Sequence, residues 1–172
     1  MARPIEYDKT EFLKSSTELF LSRGFEGTSL RDIFETTGMN RHSLYQHFGD
    51  KQGLYLEVMD YYEKNNFAPL YTILEKAPQG LPSIEYFFET ILSSSGQINC
   101  VMLHALLERA VMDKQAIKVA TKHFARLEKS FLKNLEISKK KKELNSAINT
   151  DEASSLLLGF LHGLPTSATL KG

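Results

Sequence analysis

The chain of 172 residues has little cysteine, glycine or proline, with one, ten and five of each, and it has no tryptophan. A single cysteine, Cys100, excludes an intrachain disulfide and is typical of a protein of the reducing cytoplasm. Neither a secretory leader nor an apolar run of about 18 residues is present, so we expect neither export nor a membrane partner. The scarcity of helix breakers and a recurring 3.6-residue apolar period predict an all-α protein.

No charge of one sign prevails. Lysine and arginine together number 21, and so do aspartate and glutamate. Residues 1–51 contain seven basic and eight acidic residues, which gives them a net charge of −1. A nucleic-acid-binding region of this composition has to rely on locally placed cations and on helix N-termini aimed at phosphates. We therefore expect weak non-specific binding that depends sharply on salt.

The first 50 residues carry the local signals of three short helices. Capping residues and glycines predict a first helix over residues 8–24 and a second from 29 to about 36. Gly38 suits the tight turn that follows, because glycine adopts a positive φ readily. Asn40 then caps a third helix over residues 41–48. Two short helices joined by a glycine-containing turn predict a helix-turn-helix, and the polar second helix suits the DNA major groove.

At these residues the chain resembles the TetR family of one-component transcriptional regulators. The matching run reads LF-x3-GF-x-GTS-L-x-DI and then GMNR-x-SLY-x-HF-x-DK-x-x-L, which is roughly a quarter of the chain. The chain departs from the family's pattern at His42, where the family usually has glycine or proline. The resemblance therefore predicts the fold more firmly than the chemistry of base reading.

The resemblance implies a helix-turn-helix DNA-binding domain over residues 1–50 and a larger helical ligand-binding and dimerisation domain over residues 51–172. In the family the last two helices dimerise as a four-helix bundle. Here the apolar period predicts an eighth helix that opens at Thr150 or Asp151, and Pro165 is expected to end it. Only seven residues follow Pro165, too few for a stable further helix. The chain is therefore expected to lack the last family helix and to dimerise weakly or differently.

Polar and basic side chains on or beside the third helix are the candidate DNA contacts. Arg41 suits bidentate reading of guanine, and Gln46 suits adenine. Tyr45 and Lys51 match family positions that hold phosphates, as do residues at the start of the second helix. The alternative is an ordinary solvated surface. The full set is Thr28, Ser29, Arg31, Arg41, His42, Ser43, Tyr45, Gln46, His47 and Lys51.

Apolar and aromatic side chains beyond residue 50 supply two further candidate sites. A ligand pocket is expected on the inner faces of the later helices, with an apolar or aromatic effector because no dense charged cluster points inward. The alternative for any one of these side chains is plain core. The ligand candidates are Tyr61, Tyr62, Phe87, Phe88, Met102, Leu106, His123 and Phe124. The candidate dimer interface is an apolar stripe of Leu156, Leu157, Phe160, Leu161 and Leu164.

Two other patterns favour structural roles. Cys100 lies in an apolar run, which favours a buried, inert thiol over a redox sensor. His104 and Glu108 share a helix face, but without a second pair a hydrogen bond is favoured over a metal site. The sequence shows no recognisable nucleophile–base pair, phosphate-binding loop or carboxylate pair, so we expect no enzymatic activity, cofactor or metal.

These observations predict a cytoplasmic DNA-binding transcriptional regulator. As is usual in the family, we expect it to be a repressor that binds a palindromic double-stranded operator as a homodimer. A small-molecule effector is expected to release it from the operator. The alternative is an interaction protein, a shortened regulator that pairs with a full-length relative and titrates it. The oligomeric state discriminates between the two.

Overall fold

The computed structural model describes residues 8–76, 78–93 and 99–171, with the backbone alone for residues 165–171. The described residues form helices and their connections and contain no strand, which confirms the all-α prediction. Over the same ranges, no helix has both the length and the apolar character needed to cross a membrane. The helices are α1 Lys9–Arg23, α2 Leu30–Thr37, α3 Arg41–Phe48, α4 Lys51–Tyr62, a π-helix Glu63–Phe67, α5 Ala68–Glu75, α6 Leu81–Ser93, α7 Val101–Leu107, α8 Lys114–Lys140 and α9 Thr150–Lys171.

Local capping fixes the ends of the helices in the helix-turn-helix. The Asp32 N–H donates to the Ser29 hydroxyl oxygen at 3.1 Å, and the Asp32 carboxylate accepts from the Ser29 N–H at 2.8 Å. This reciprocal capping box starts α2. Gly38 ends α2 in the left-handed region, with φ of 71°. Asn40 then accepts from the Ser43 N–H at 2.8 Å and starts α3. The predicted helix-turn-helix is confirmed.

The structure divides into two compact units. The first contains the described residues up to Lys64 together with Cys100–Ala120, and therefore comprises α1 to α4, α7 and the start of α8. α1 packs on α2, α4 and α7, and α3 packs on α4. The Phe20 ring lies edge-on to the Tyr55 ring at 4.9 Å. Because the buried Tyr55 hydroxyl donates to the Val101 carbonyl at 2.7 Å, α4 is tied to α7.

The second unit contains the described residues of Asn65–Asn99 and Thr121–Gly172, which form α5, α6, most of α8 and α9. Its core includes the Phe87 and Phe131 rings, which meet edge-on at 5.3 Å. Asn134 is fully buried and has its hydrogen-bonding groups satisfied. Its amide nitrogen donates to carbonyls of α5 and α8, and its oxygen accepts from a backbone N–H just before α6. This side chain therefore joins three helices.

Two prolines behave differently from each other. Pro69 lies in the first turn of α5, where its missing N–H costs no helical hydrogen bond. The π-helix Glu63–Phe67 precedes it and was not predicted. Pro165 does not end the last helix, because α9 continues to Lys171. A proline inside a helix removes one helical hydrogen bond and disfavours the helix, but the backbone of α9 stays helical beyond it. The predicted helix end at Pro165 is therefore wrong.

Candidate nucleic-acid interface and ligand region

α3 presents a polar face because two apolar side chains fix its opposite face in the core. Leu44 is fully buried, and Phe48 stacks on Phe12 of α1 with ring centroids 5.3 Å apart. Ser43 is half-buried, and the exposed residues of the helix are Arg41, His42, Tyr45, Gln46 and His47. The structure thus brings six of the ten candidate DNA contacts onto one short helix.

Arg41 and Tyr45 are neighbours on this face. The guanidinium carbon of Arg41 lies 5.5 Å from the Tyr45 ring centroid, a cation–π contact that orients the guanidinium. In the described part of the chain no carboxylate pairs with Arg41. Arg31 differs, because its Nε donates to Glu35 at 2.7 Å. The donors of Arg41 are therefore available to an acceptor outside the chain.

The carboxylate of Asp32 caps the N-terminus of α2. Hydrogen bonds from the Ser29 hydroxyl at 2.6 Å and the Ser29 N–H at 2.8 Å lower the pKa of Asp32 to about 2. Arg23 pairs with the same carboxylate at 2.6 Å. The Ser29 hydroxyl is thus occupied, and a permanent negative charge lies at a helix end that was expected to face phosphates.

Thr28 lies beneath this surface. Its side chain is fully buried, and its hydroxyl donates to the Gly24 carbonyl at 2.7 Å. This placement corrects the prediction that Thr28 contacts DNA, because its hydroxyl is shielded and already donated. Thr28 instead fixes the connection between α1 and α2.

Lys51 opens α4 and is half-buried. Its Nζ lies 4.2 Å from the centroid of the Phe25 ring, a second cation–π contact. Burial lowers the pKa of Lys51, and the negative charges of Glu108 and Glu26 oppose that shift. The ammonium group is therefore held beside the connection between α1 and α2.

Glu108, just after α7, is a site residue that the sequence did not reveal. Its carboxylate accepts from the N–H groups of Phe25 at 3.0 Å and Glu26 at 2.6 Å. His104 Nδ1 lies 3.7 Å from the same carboxylate. The i, i+4 spacing predicted a contact between His104 and Glu108, but it carries no signal for backbone groups more than 80 positions away. We call these two hydrogen bonds the Glu108 latch.

The predicted ligand residues are divided between the two units. Some members, such as Met102 and Phe87, are fully buried core. The first unit holds Tyr61, Tyr62, Met102 and Leu106, and the second holds Phe87, Phe88, His123 and Phe124.

Cys100 is the N-cap of α7 and forms a hydrogen bond with the Tyr62 hydroxyl. Burial raises the pKa of the Cys100 thiol to about 11. A thiol that stays protonated at neutral pH is a poor nucleophile. The environment therefore supports the inert interpretation of this cysteine.

His123 lies at the centre of an aromatic cluster in the second unit. Its Nδ1 is 2.8 Å from the Tyr71 hydroxyl, and the Phe67 ring meets it edge-on at 4.4 Å. Burial, with smaller effects of Arg126 and His162, lowers the pKa of His123 to about 4. His123 is therefore neutral at physiological pH. Tyr71 and Phe67 were not predicted, because they flank Pro69, where the helical period is interrupted.

The predicted dimer residues lie on different faces of α9. Leu156 and Phe160 are 73% and 55% exposed. Leu161 and Leu164 are buried in the core of their own unit, which corrects their assignment to an interface between copies. The exposed side belongs to an apolar groove of about 400 Å³ lined by Leu81, Ile84, Leu135, Ala153, Leu156, Leu157 and Phe160.

Comparisons with known proteins agree with this architecture. Residues 12–58 match the model of the tetR family of bacterial regulatory proteins. The HTH-type transcriptional regulator YezE of Bacillus subtilis is 27% identical over 149 residues, 84% of this chain and 77% of YezE. The HTH-type transcriptional repressor BdcR of Escherichia coli is 28% identical over 126 residues, 71% of this chain and 62% of BdcR.

A solved structure extends the likeness to the fold of nearly the whole chain. A cysteine mutant of the TetR family transcriptional regulator CifR, complexed with 26 bp double-strand operator DNA, has a TM-score of 0.80 at 21% identity. The match covers 99% of this chain and 91% of that chain. The relatives are named as regulators and not as enzymes. With the helix-turn-helix and the matched motif, residues 12–58 belong to the tetR family of bacterial regulatory proteins, and the chain shares the fold of TetR family transcriptional regulators.

Proposed function

We propose that this regulator is a repressor, that it binds a palindromic operator as a homodimer, and that a small apolar or aromatic effector releases it. The observation that carries the proposal is the exposed face of α3, where no carboxylate among the described residues pairs with Arg41. BdcR is named a repressor, and the CifR complex contains operator DNA. Both support the same activity here.

Arg41 and Gln46 are proposed to read bases in the major groove. The guanidinium of Arg41 matches guanine O6 and N7, and the amide of Gln46 matches adenine N6 and N7. Tyr45 and Lys51 are proposed to hold phosphates. Near α2, Arg31 is a better candidate phosphate ligand than Ser29, because the exposed ion pair of Arg31 with Glu35 is weak and exchanges readily.

Selection of bound sequences from random duplex DNA tests the proposal and yields the operator. Arg41→Ala should then weaken binding by about 1–3 kcal/mol and relax the preference at one base in each half-site. Lys51→Ala should weaken all duplexes alike, because a phosphate contact carries no sequence information.

Lys14→Ala is the matched control, since Lys14 is an exposed cation of α1 outside the proposed interface. It should leave affinity and sequence preference unchanged. Equal losses on all duplexes for Arg41→Ala would make Arg41 a phosphate contact. The absence of any enriched sequence would contradict operator recognition itself.

A second copy is proposed to cover the apolar groove at α9. A monomer would expose Leu156 and Phe160 beside each other, and such patches usually mark interfaces. In a dimer the two copies of α3 would occupy successive major grooves, about 34–36 Å apart.

Sedimentation at falling concentration tests this assembly. Leu156→Glu and Phe160→Glu should shift the protein towards monomer, because each buries a charge in the interface. Leu107→Glu, which replaces an equally exposed leucine of α7, is the control. A wild-type monomer at all concentrations would contradict the palindrome and favour the titrating-partner alternative.

A further inference from the structure

Two buried imidazole nitrogens in the second unit have no hydrogen-bond partner in the part of the chain that the structure describes. Among the described residues, none lies within hydrogen-bonding distance of His123 Nε2 or of His162 Nε2. His123 is only 2% exposed, whereas His162 is half-buried, so the pair extends from the core towards the surface. A buried polar atom without a partner is costly, and native proteins rarely leave one unexplained.

The other nitrogen of His123 is already used. Tyr71 Oη lies 2.8 Å from His123 Nδ1 and 3.3 Å from the His123 carbonyl oxygen. A phenol has one proton, and we assign it to the shorter contact, in which Nδ1 is the acceptor. The neutral ring then carries its own proton on Nε2. His123 therefore offers a hydrogen-bond donor to its surroundings.

Those surroundings are aromatic. The Phe124 ring lies edge-on to both imidazoles, with centroids 5.0 Å from His123 and 4.4 Å from His162. The Phe67 ring closes a further side of His123 at 4.4 Å. The nearby cation, Arg126, is already engaged, because it binds Glu75 through two hydrogen bonds of 2.8 Å and covers the Tyr71 ring.

These features restrict the chemistry of an occupant. Aromatic walls favour a planar apolar body. A buried carboxylate would need a cationic partner, and Arg126 is paired. Two imidazoles alone do not complete a metal shell, and the described residues contain no group of three metal-binding side chains. A carbonyl oxygen is neutral and can accept hydrogen bonds from one donor or two.

We propose that His123 and His162 form the polar end of the effector subsite, and that the effector is a neutral aromatic compound whose carbonyl oxygen accepts from His123 Nε2. This inference rests on the proposed effector function and narrows it to a chemical class.

The test uses two probes of equal shape. Acetophenone has the carbonyl, and α-methylstyrene replaces its oxygen by a CH2 group. Calorimetry on the wild-type chain should show acetophenone binding about tenfold tighter, the factor expected for one hydrogen bond. Benzoate, with its charge, should bind more weakly than acetophenone.

Two variants test whether the preference for acetophenone depends on His123. His123→Phe keeps an aromatic ring but removes the donor, so the preference for acetophenone should vanish. Glu89→Gln, an exposed site on α6, should retain it. Because His123→Phe removes a buried hydrogen bond and lowers stability, ¹⁵N NMR of the wild-type imidazoles provides a second readout. Nε2 of His123 should be protonated and should shift with acetophenone but not with α-methylstyrene.

Several results would overturn the subsite. These are equal affinity for the two isosteres, no binding of either, a proton on His123 Nδ1, or an ordered water between the imidazoles that acetophenone does not displace. Binding to the selected duplex is measured on the same samples. Loss of the subsite with duplex binding intact contradicts this inference alone, whereas no duplex binding contradicts the proposed function.

Discussion

Acidification from neutral pH should destabilise this protein through the buried side chain of His123. Burial holds the pKa of His123 at about 4, below the ordinary value near 6.5. The folded state therefore favours the neutral ring, and the unfolded chain takes up the proton first. The stabilisation is complete above the unfolded pKa and is lost as the pH falls from about 6.5 towards 4.

The size of the lost stabilisation follows from the linkage between protonation and folding. A difference between about 4 and 6.5 corresponds to a loss of about 2 kcal/mol of unfolding free energy by pH 5 and about 3 kcal/mol by pH 4. Burial also lowers the pKa of His162, so its contribution has the same sign. Asp32, with a pKa of about 2, stays charged through this window, and the hydrogen bond from Arg126 lowers the pKa of Glu75.

Urea unfolding at pH 8, 6.5, 5.5 and 5 measures the effect. The slope of unfolding free energy against pH should fall in His123→Phe and persist in His42→Asn, which replaces an exposed histidine. The comparison uses slopes, so a lower absolute stability of His123→Phe does not affect it. A wild-type stability that is flat from pH 8 to 5, or an equal slope in His123→Phe, would refute the reasoning.

The Glu108 latch and two glycines give the remaining predictions. Glu108→Gln should lower the unfolding free energy by roughly 1–3 kcal/mol and accelerate hydrogen exchange of the Phe25 and Glu26 amides; unchanged exchange would show that the latch adds nothing. Gly24→Ala should destabilise, since φ is 73° and an added Cβ would overlap Glu108 Oε1. Gly159→Ala, in open space within α9, should instead raise the unfolding free energy by about 0.5–1 kcal/mol in the same denaturation assay.

The sequence predicted best what is decided by neighbours in the chain. Ser29, Gly38 and Asn40 set helix ends through contacts within four positions, so the bounds of the helix-turn-helix could be read directly. The i, i+4 spacing of Leu44 and Phe48 likewise agrees with the buried side of α3. These signals do not depend on tertiary structure, and the prediction succeeded for that reason.

The failures concern partners far along the chain. Periodicity identified the apolar residues of α9 but not their direction, so Leu161 and Leu156 were grouped although one is buried and the other exposed. Thr28 matched a family position, but the pattern does not show that its hydroxyl turns inward to Gly24. The Glu108 latch joins segments that only the fold brings together, and no local spacing predicts it.

The capped N-termini of α2 and α3 affect how the protein is distributed in a cell. Asp32 occupies the start of α2, and Asn40 accepts from the first turn of α3. Few backbone donors are left for phosphates, and residues 1–51 have no surplus of positive charge. A genome offers about 10⁶–10⁹ competing sites, which sequester strongly basic regulators. This protein should dwell on such sites only briefly, so that a small number of copies suffices to find and occupy a single operator.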